Sequence, residues 1–368
     1  MNILFMTTHL NTGGITSYVL TVSKGLIARG HKVSLVSSGG ELLHAFEQAG
    51  VKVFVLDIRT KSELSFKLYR NLSRVNQIIR ERNIDCVHPQ TRITQVMARF
   101  VSQRAKVPVV TTCHGYFTPR WSRRLCPCWG NRVIAISNAV VEHLRDDFKV
   151  NVKKIALIHN GIDLAPFREK DGQLRHRMRQ QYQLSDELVL GIIARLSDVK
   201  GQDILIEAVS EVIKEEKRVK LFLFGEGKFE SHLKALVSRY QLNNFVSFYS
   251  VTRSVLEQLS VIDIFIMPSR KEGLGLSVME AQAAGKPVIV SNVGGLKDLV
   301  EDGVTGLFCQ PLDPVDLSEK IIQLIRDPRL RIDLGRQAER KAMTQYSETV
   351  MMDKTVALYS ELITQQSK

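Results

Sequence analysis

Short apolar segments recur along the whole chain, and most of them are separated by segments in which apolar residues follow helical spacing. In the first half the strand-like segments are residues 2–8, 32–37, 51–57, 85–88, 107–112, 132–136 and 155–159. In the second half they are residues 188–194, 220–225, 245–250, 263–269, 287–291 and 306–310. Strands that alternate with helices in this way are typical of parallel sheets covered by helices on both faces. The sequence therefore predicts an α/β protein with two doubly wound, Rossmann-like domains.

The length of the chain also favours two domains, because 368 residues are too many for one ordinary core. We predict an N-terminal domain at residues 1–165 and a C-terminal domain at residues 166–345, with a polar linker and a short helix at 167–186. The two domains are expected to face each other across a cleft. Residues 315–363 follow a helical pattern with breaks near Pro328 and Tyr346. The last segment, residues 346–368, is predicted to be a helix that crosses back onto the first domain.

The composition is that of a soluble globular protein, with 44% hydrophobic and 24% charged residues. The chain begins MNILFMTTHL, which lacks a basic region ahead of its apolar residues and reads as a first strand. No apolar run approaches the ~18 residues of a membrane span. These features predict a cytoplasmic protein without a signal peptide or a membrane span.

Five cysteines are an odd number for a disulfide framework. Cys126 and Cys128 flank a proline and could ligate a metal, but no second close pair accompanies them. We therefore predict reduced, unligated thiols and no metal site.

The positive charge is concentrated in the first half of the chain. Residues 1–168 contain 24 Lys and Arg against 10 Asp and Glu, whereas residues 169–368 contain 27 against 28. In segments 64–82 and 116–132 basic residues, including Arg120 and Arg124, alternate with apolar and aromatic ones. This pattern suits an anionic membrane surface, although a solvated basic face is the alternative. Nucleic-acid binding is not predicted, since the sequence contains no recognised motif for it.

Two glutamates and a pair of glycines follow the strand-like segment 263–269. Glu272 comes directly after the predicted strand, and Gly273 and Gly275 precede a helical segment that contains Glu280. Ligands collect at the carboxyl ends of parallel strands, and a glycine-rich turn into a helix exposes amides to an anion. The arrangement suits a nucleotide sugar. The alternative is a glycine turn with two solvated glutamates.

Further candidate phosphate contacts follow the first strand of each domain. Gly13 and Gly14 lie where the first strand turns into the first helix, but the GxGxxG spacing of a dinucleotide site is missing. Arg195 follows the first strand of the second domain, and Lys200 precedes the next helix. Two cations beside a helix N-terminus favour a diphosphate. The alternative is a pair of surface cations that flank a turn, which would give the same sequence pattern.

Taken in order, these landmarks resemble those of a known family. The segment from Glu272 to Glu280 matches the E-x7-E motif of the retaining glycosyltransferases of family four, the glycosyl transferase group 1 proteins of the GT-B fold. The other matching segments are residues 13–14, 159–163, 195–201, 224–227 and 293–295. The resemblance spans essentially the whole chain and implies a GT-B glycosyltransferase.

The resemblance also implies roles for individual residues. Arg195 and Lys200 would hold the donor diphosphate, Glu280 the ribose hydroxyls and Glu272 a hydroxyl of the transferred sugar. His114 would face the donor sugar, and we group it with Glu272, Arg195 and Lys200 as a catalytic residue. The remaining donor-binding residues implied are Gly13, Gly14, Gly225, Val251, Gly273, Leu274, Gly275 and Leu276.

The implied reaction transfers a sugar from a nucleoside diphosphate to an acceptor with retention of anomeric configuration. No Asp-x-Asp pair occurs in the sequence, so the expected enzyme needs neither a metal nor a cofactor. The charge asymmetry predicts an anionic or lipid-linked glycan acceptor of cell-envelope synthesis, such as lipopolysaccharide, at the inner face of the membrane. UDP, GDP and ADP remain open as the nucleotide. A nucleotide-sugar epimerase and a non-catalytic nucleotide-sugar-binding module are the alternatives.

Overall fold

A computed structural model describes residues 1–60, 62–63, 65–119, 121–168, 171–251 and 254–366, without the side chains of Ser122 and Arg124. Leu64 and Arg120, which belong to the predicted basic segments, lie outside the described residues. The chain forms two compact units. Unit 1 comprises Met1–Gly161 and Glu348–Lys368, and unit 2 comprises Ile162–Ser347. The boundaries predicted from the sequence were 165/166 and 345/346.

The described residues of unit 1 form seven strands, each parallel to its neighbours. The strands are β1 (Asn2–Met6), β2 (Lys32–Ser37), β3 (Lys52–Val55), β4 (Cys86–Pro89), β5 (Val110–Cys113), β6 (Arg132–Ala135) and β7 (Ile155–Leu157). They are ordered β3-β2-β1-β4 and β5-β6-β7. A parallel bridge between Val87 and Val109 connects β4 to the segment that leads into β5. The order of strands reverses between β1 and β4, so the loops after these strands form a switch point.

Helices cover both faces of this sheet, because its strands are apolar on both sides. The first six helices are α1 (Gly14–Ala28), α2 (Leu43–Gln48), α3 (Phe66–Glu81), α4 (Arg92–Ala105), α5 (Trp121–Leu125) and α6 (Asn138–Asp146). Ile3 and Phe5 belong to the cluster that includes α1, whereas Leu4 and Met6 belong to the one that includes α3 and α4. The alternation along β1 thus divides the core of unit 1 into two layers.

Within the part of unit 2 that the structure describes, the strands form a parallel six-stranded sheet in the order β10-β9-β8-β11-β12-β13. Its strands are β8 (Leu188–Ile193), β9 (Val219–Phe224), β10 (Val246–Tyr249), β11 (Ile264–Met267), β12 (Val288–Ser291) and β13 (Leu307–Cys309). Its helices are α7 (Ala165–Arg168), α8 (Leu174–Gln181), α9 (Gln202–Glu215), α10 (Glu230–Arg239), α11 (Val255–Val261), α12 (Leu276–Ala283), α13 (Leu296–Leu299), α14 (Pro314–Arg326) and α15 (Pro328–Gln345). The strand order reverses between β8 and β11. The predicted α/β fold with parallel sheets in two Rossmann-like domains is confirmed.

The polar segment 167–186 includes a short helix, as the sequence predicted. It contains α8, whose Arg175 donates a hydrogen bond of 2.7 Å to the Asp263 carboxylate and another of 2.9 Å to the Ser260 carbonyl. Asp263 also accepts from the Val189 amide at 2.9 Å, so α8 is attached to the start of the sheet's central strands. Met178 is the buried residue of this helix, which explains why the segment is so polar.

The last helix, α16 (Glu348–Gln366), belongs to unit 1. Its Met352 packs against Gly25 of α1, where a Cβ atom would lie 2.6 Å from the methionine Cγ. The buried Tyr359 hydroxyl lies 2.6 Å from His88 Nδ1 on β4. These contacts explain why a helix from the end of the chain is part of the first unit's core. Among the described residues, no helix is long and apolar enough to cross a bilayer.

Candidate active site

In unit 2 the candidate residues lie on the loops that follow β8 and β11, the two strands at the switch point. The β8–α9 loop carries Arg195 and Lys200, and the β11–α12 loop carries Glu272. Because β8 and β11 are hydrogen-bonded neighbours, their carboxyl ends lie side by side. This edge of the sheet is where open α/β folds bind ligands.

Glycines allow these loops to pack backbone against backbone. Gly201 has a φ of 70°, and a Cβ atom there would lie 1.9 Å from the Pro268 carbonyl oxygen. Gly225, at the end of β9, has a φ of 155°, and its Cβ atom would lie 2.0 Å from the Ala194 oxygen. A side chain at either position would push the loops apart. The predicted donor-site residue Gly225 therefore has a structural role in shaping the loop that carries Arg195.

An arginine that sequence reasoning missed fastens the loops to each other. Arg270 donates to the Asp198 carbonyl and to both carboxylate oxygens of Asp203, each at 2.7 Å. Burial raises the pKa of Asp203, but the hydrogen bonds and charge of Arg270 outweigh it and lower the pKa overall. The pair fixes the start of α9 against the β11–α12 loop. Arg270 and Asp203 are 67 residues apart, so no local sequence pattern indicated that they pair.

Lys200 and Glu272 form a direct ion pair. Their side chains are 23% and 13% exposed, so the pair is partly shielded from water. The Ser269 hydroxyl lies 3.4 Å from the same glutamate oxygen, and the Glu272 carbonyl accepts from the Gly295 amide at 3.0 Å. The structure therefore places the predicted diphosphate and sugar contacts next to each other.

Arg195 lies on the same edge, and its side chain is exposed. Among the described residues none accepts a hydrogen bond from its guanidinium, while its backbone carbonyl accepts one from Gln202 at 3.0 Å. Val251, after β10, is 52% exposed, and residues 252–253 beyond it lie outside the description. A fixed backbone with an exposed cation suits a residue that meets an anionic ligand.

The segment Gly273, Leu274, Gly275 and Leu276 forms the turn into α12. Gly275 is the residue before the helix and has a φ of 104°, and its Cβ atom would lie 2.8 Å from Leu296 Cδ2. No acidic residue occupies the first turn of α12. The positive end of the helix is therefore not neutralised by a carboxylate of its own first turn.

Glu280 lies further along α12, mostly buried. Burial raises its pKa from 4.5 to about 7. Among the described residues none forms a hydrogen bond or ion pair with its carboxylate. A buried carboxylate without a partner is costly, and a ligand hydroxyl would reduce that cost.

The other predicted residues belong to unit 1. His114 follows β5, and its Nε2 lies 2.8 Å from the Gln90 Oε1, which only accepts hydrogen bonds. Nε2 is therefore the protonated nitrogen. The Tyr18 ring packs edge-on at 4.9 Å, and burial lowers the pKa of His114 to about 3, so the imidazole is neutral at pH 7. It nevertheless keeps partial contact with solvent.

Gly13 and Gly14 lie at the start of α1, as expected from the sequence. No atom of the described residues lies within 4 Å of a Cβ atom built at either position, so packing among those residues does not require glycine there. Within the described part of the chain, no group of three or more His, Cys, Asp or Glu side chains could hold a metal ion. The Cys126 and Cys128 sulfurs lie 3.2 Å apart as free thiols.

Comparison with family models identifies both halves of the chain. Residues 12–166 match the model described as Glycosyltransferase Family 4, and residues 175–341 match the model described as Glycosyl transferases group 1. Together the two matches include almost all of the residues named above.

Several known proteins resemble the chain over nearly their whole length. N-acetyl-alpha-D-glucosaminyl L-malate synthase of Bacillus anthracis is 23% identical, with 97% of this chain and 96% of that protein covered. N,N'-diacetylbacillosaminyl-diphospho-undecaprenol alpha-1,3-N-acetylgalactosaminyltransferase of Campylobacter jejuni is 24% identical, with 95% and 96% covered. The solved structure of Anabaena HepE in complex with UDP has a TM-score of 0.87 at 23% identity, with 98% of this chain and 100% of that chain covered.

The matched regions contain the ordered landmarks, and the similarity to solved structures agrees with the parallel sheets of both units. The chain belongs to the glycosyl transferase group 1 proteins, Glycosyltransferase Family 4, and is a glycosyltransferase of the GT-B fold.

Proposed function

We propose that this glycosyltransferase transfers a sugar from a nucleoside-diphosphate sugar held by unit 2, with retention of anomeric configuration and without a metal. The observation that carries the proposal is that the neighbouring loops after β8 and β11 bring together two cationic side chains and a carboxylate. Arg195 is exposed there, and Lys200 pairs with Glu272. Such a set can bind a diphosphate and a sugar hydroxyl at once.

The proposed chemistry needs positive charge where the leaving group develops negative charge. When the bond between the anomeric carbon and the diphosphate breaks, electrons pass to the phosphate oxygen. Arg195, Lys200 and the amides at the start of α12 would stabilise that charge. A bound diphosphate would also draw Lys200 away from Glu272, which leaves the Glu272 carboxylate available to a sugar hydroxyl. The leaving phosphate would accept the acceptor's proton.

Three further predicted contacts are included in the proposal. The two ribose hydroxyls can donate hydrogen bonds to the Glu280 carboxylate, which lacks a partner among the described residues. His114, neutral and with Nε2–H held by Gln90, is suited to a polar contact with an uncharged sugar. Gly13 and Gly14 leave room for a phosphate to approach the backbone at the start of α1.

The relatives support a choice of donor and acceptor to test first. Anabaena HepE, which shares the fold, has been solved with UDP and with UDP-glucose. The Campylobacter jejuni relative is named for an acceptor linked to undecaprenol through a diphosphate. We therefore propose a UDP-sugar as the donor and an anionic, lipid-linked glycan of the cell envelope as the acceptor.

A thermal shift assay tests the donor proposal. We expect UDP or a UDP-sugar to raise the melting temperature equally with and without EDTA, while GDP and ADP have little effect. A ligand at about 100 times its Kd adds ~2.7 kcal/mol to stability. No shift with any nucleotide would contradict the proposed donor site. A shift that EDTA abolishes would contradict metal independence, and donor consumption without any acceptor would favour an epimerase.

We also propose that unit 1 contacts an anionic membrane through an aromatic and basic surface on α3 and α4. Phe66 is 76% exposed, and the partly exposed rings of Tyr69 and Phe100 meet edge-on at 5.7 Å. Arg70 lies on the same segment of α3 and is also exposed. Exposed aromatic rings beside cations suit the headgroup region of a bilayer. There the rings lie at the boundary with the acyl chains, and the cations contact anionic headgroups.

Vesicle flotation tests this surface. We expect the protein to float with vesicles of phosphatidylglycerol at low salt and to lose most of that binding when Phe66→Ser and Arg70→Ser are combined. The matched control combines Val152→Ser with Lys24→Ser, which removes one exposed apolar side chain and one cation elsewhere on unit 1. Equal flotation of both double variants would contradict the proposed surface. Binding that persists at ~1 M salt would contradict its electrostatic part.

A further inference from the structure

Two of the five cysteines lie close enough to react with each other. The Sγ atoms of Cys126 and Cys128 are 3.2 Å apart, and both thiols are free. A disulfide needs an S–S distance of ~2.05 Å, so a movement of about 1 Å brings the two sulfurs to bonding distance. The other three cysteines, Cys86, Cys113 and Cys309, are buried free thiols.

Hydrogen bonds hold the backbone on both sides of this pair. Arg92, the first residue of α4, donates to the carbonyl of Cys126 at 2.7 Å and to that of the following proline at 2.9 Å. The same guanidinium donates to both carboxylate oxygens of Glu63, at 3.0 and 2.8 Å. The Trp129 carbonyl accepts from the Thr111 hydroxyl of β5 at 2.9 Å. The proximity of the two thiols is therefore maintained by contacts with β5 and α4.

The two thiols differ in their access to solvent. Cys126 is partly exposed, whereas Cys128 is 6% exposed. Burial, with the hydrogen bond from Cys126, raises the pKa of Cys128 to about 11. A reagent from solvent therefore meets Cys126 first, because thiol exchange needs both access and a thiolate. Any group attached to the sulfur of Cys126 then lies beside the Cys128 thiol.

We propose that Cys126 and Cys128 form a site of reversible oxidation, at which a low-molecular-weight disulfide such as oxidised glutathione converts the two thiols to an intramolecular disulfide. The Cys126 thiolate attacks one sulfur of the reagent, whose S–S bond breaks, and one glutathione thiolate leaves. The Cys128 thiolate then attacks the Cys126 sulfur and displaces the second glutathione. The protein loses two protons and two electrons, and the reagent is reduced to two glutathione thiols.

A single tryptic peptide allows a direct test. Arg124 and Arg132 bound the peptide of residues 125–132, which contains both cysteines. The folded protein is incubated with oxidised glutathione, quenched with acid, unfolded, treated with N-ethylmaleimide and digested. We expect this peptide to carry no maleimide and to be lighter than the dithiol peptide by two hydrogen atoms. Dithiothreitol added before the maleimide should restore two reactive thiols.

The buried cysteines provide an internal control in the same sample. Cys86, Cys113 and Cys309 should each carry maleimide after unfolding, because the folded protein shields them from oxidised glutathione. Their oxidation at the same rate as the pair would show that the reaction follows unfolding, and it would overturn the proposed site.

Two variants separate the steps of the reaction. Cys128→Ser should stop at the first step, with glutathione attached to Cys126. Cys126→Ser should react at least about tenfold more slowly, because the remaining thiol is buried. Cys309→Ala, which removes a buried thiol of unit 2, is the matched control and should leave oxidation of the pair unchanged. Thermal melting confirms that each variant is folded.

The original protein alone can overturn the proposal. Peptide 125–132 with two maleimides, under conditions in which Cys128→Ser acquires glutathione, would show that the two thiols do not join. Persistent glutathione on Cys126, or a disulfide between two molecules, would contradict the intramolecular product. The assay measures thiol chemistry and no sugar transfer, so its result is independent of the proposed donor and acceptor.

Discussion

Replacing Arg195 or Lys200 by alanine is expected to lower kcat by about 10²–10³-fold, which corresponds to ~2.7–4 kcal/mol of lost transition-state stabilisation. Both cations are proposed to stabilise charge on the departing diphosphate. Arg195 is exposed and makes no side-chain hydrogen bond among the described residues, so Arg195→Ala should change the free energy of unfolding by less than about 0.5 kcal/mol. Steady-state transfer from the donor identified by thermal shift, together with urea unfolding, measures both quantities.

Lys200→Ala differs in one respect. It leaves the mostly buried Glu272 carboxylate without its counterion, so some loss of stability accompanies the loss of turnover. Lys217→Ala is the matched control, since Lys217 is an exposed cation just before β9 at the opposite edge of the same sheet. It should leave kcat unchanged. Near-normal transfer by Arg195→Ala and Lys200→Ala would reject the diphosphate assignment.

The second large effect is expected at Glu280, where burial raises the pKa from 4.5 to about 7. A carboxyl group with a raised pKa in the folded state stabilises the protein when protonated, and that contribution is lost as the pH rises from about 4.5 through 7. The loss is about 3 kcal/mol, since each pKa unit corresponds to ~1.4 kcal/mol. Glu280→Gln cannot ionise and escapes this loss. Without ligand, it should be more stable than the original protein by up to about 3 kcal/mol at pH 8.

Urea unfolding of Glu280→Gln and the original protein, at pH 5 and pH 8, measures this effect. The difference in the free energy of unfolding between the two proteins should be large at pH 8 and small at pH 5. Glu207→Gln, at an exposed position on α9, is the control. Its free energy of unfolding should differ from that of the original protein by the same small amount at pH 5 and at pH 8. A pH-independent difference for Glu280→Gln would contradict the raised pKa. If Glu280 also binds the ribose, the same variant should bind the nucleotide more weakly despite its higher stability.

Several features of the fold could be predicted because they depend on local patterns. The strands lie in short apolar segments, and these are separated by segments with helical periodicity. Each predicted strand overlaps an observed one. The breaks near Pro328 and Tyr346 separate α14, α15 and α16, as the helical pattern indicated. The positions of Arg195, Lys200 and Glu272 after strands followed from the same segments. The bounds of the short helix in the polar segment 167–186 could not be predicted, because α8 buries few apolar residues and so has a weak helical pattern.

Other features could not be predicted because they join residues far apart in the chain. The Arg270–Asp203 pair and the Lys200–Glu272 pair each link different loops, separated by 67 and 72 residues.

The sequence by itself determined the class of fold, the family and the residue types at the switch point. Those depend on periodicity and on short motifs whose spacing the chain carries locally. The tertiary structure decided which charges are paired, which carboxylate is buried and which polar groups lack partners. The physical reason is that desolvation and ion pairing depend on distances between segments. In a parallel sheet, strand order brings those segments together regardless of their separation in sequence.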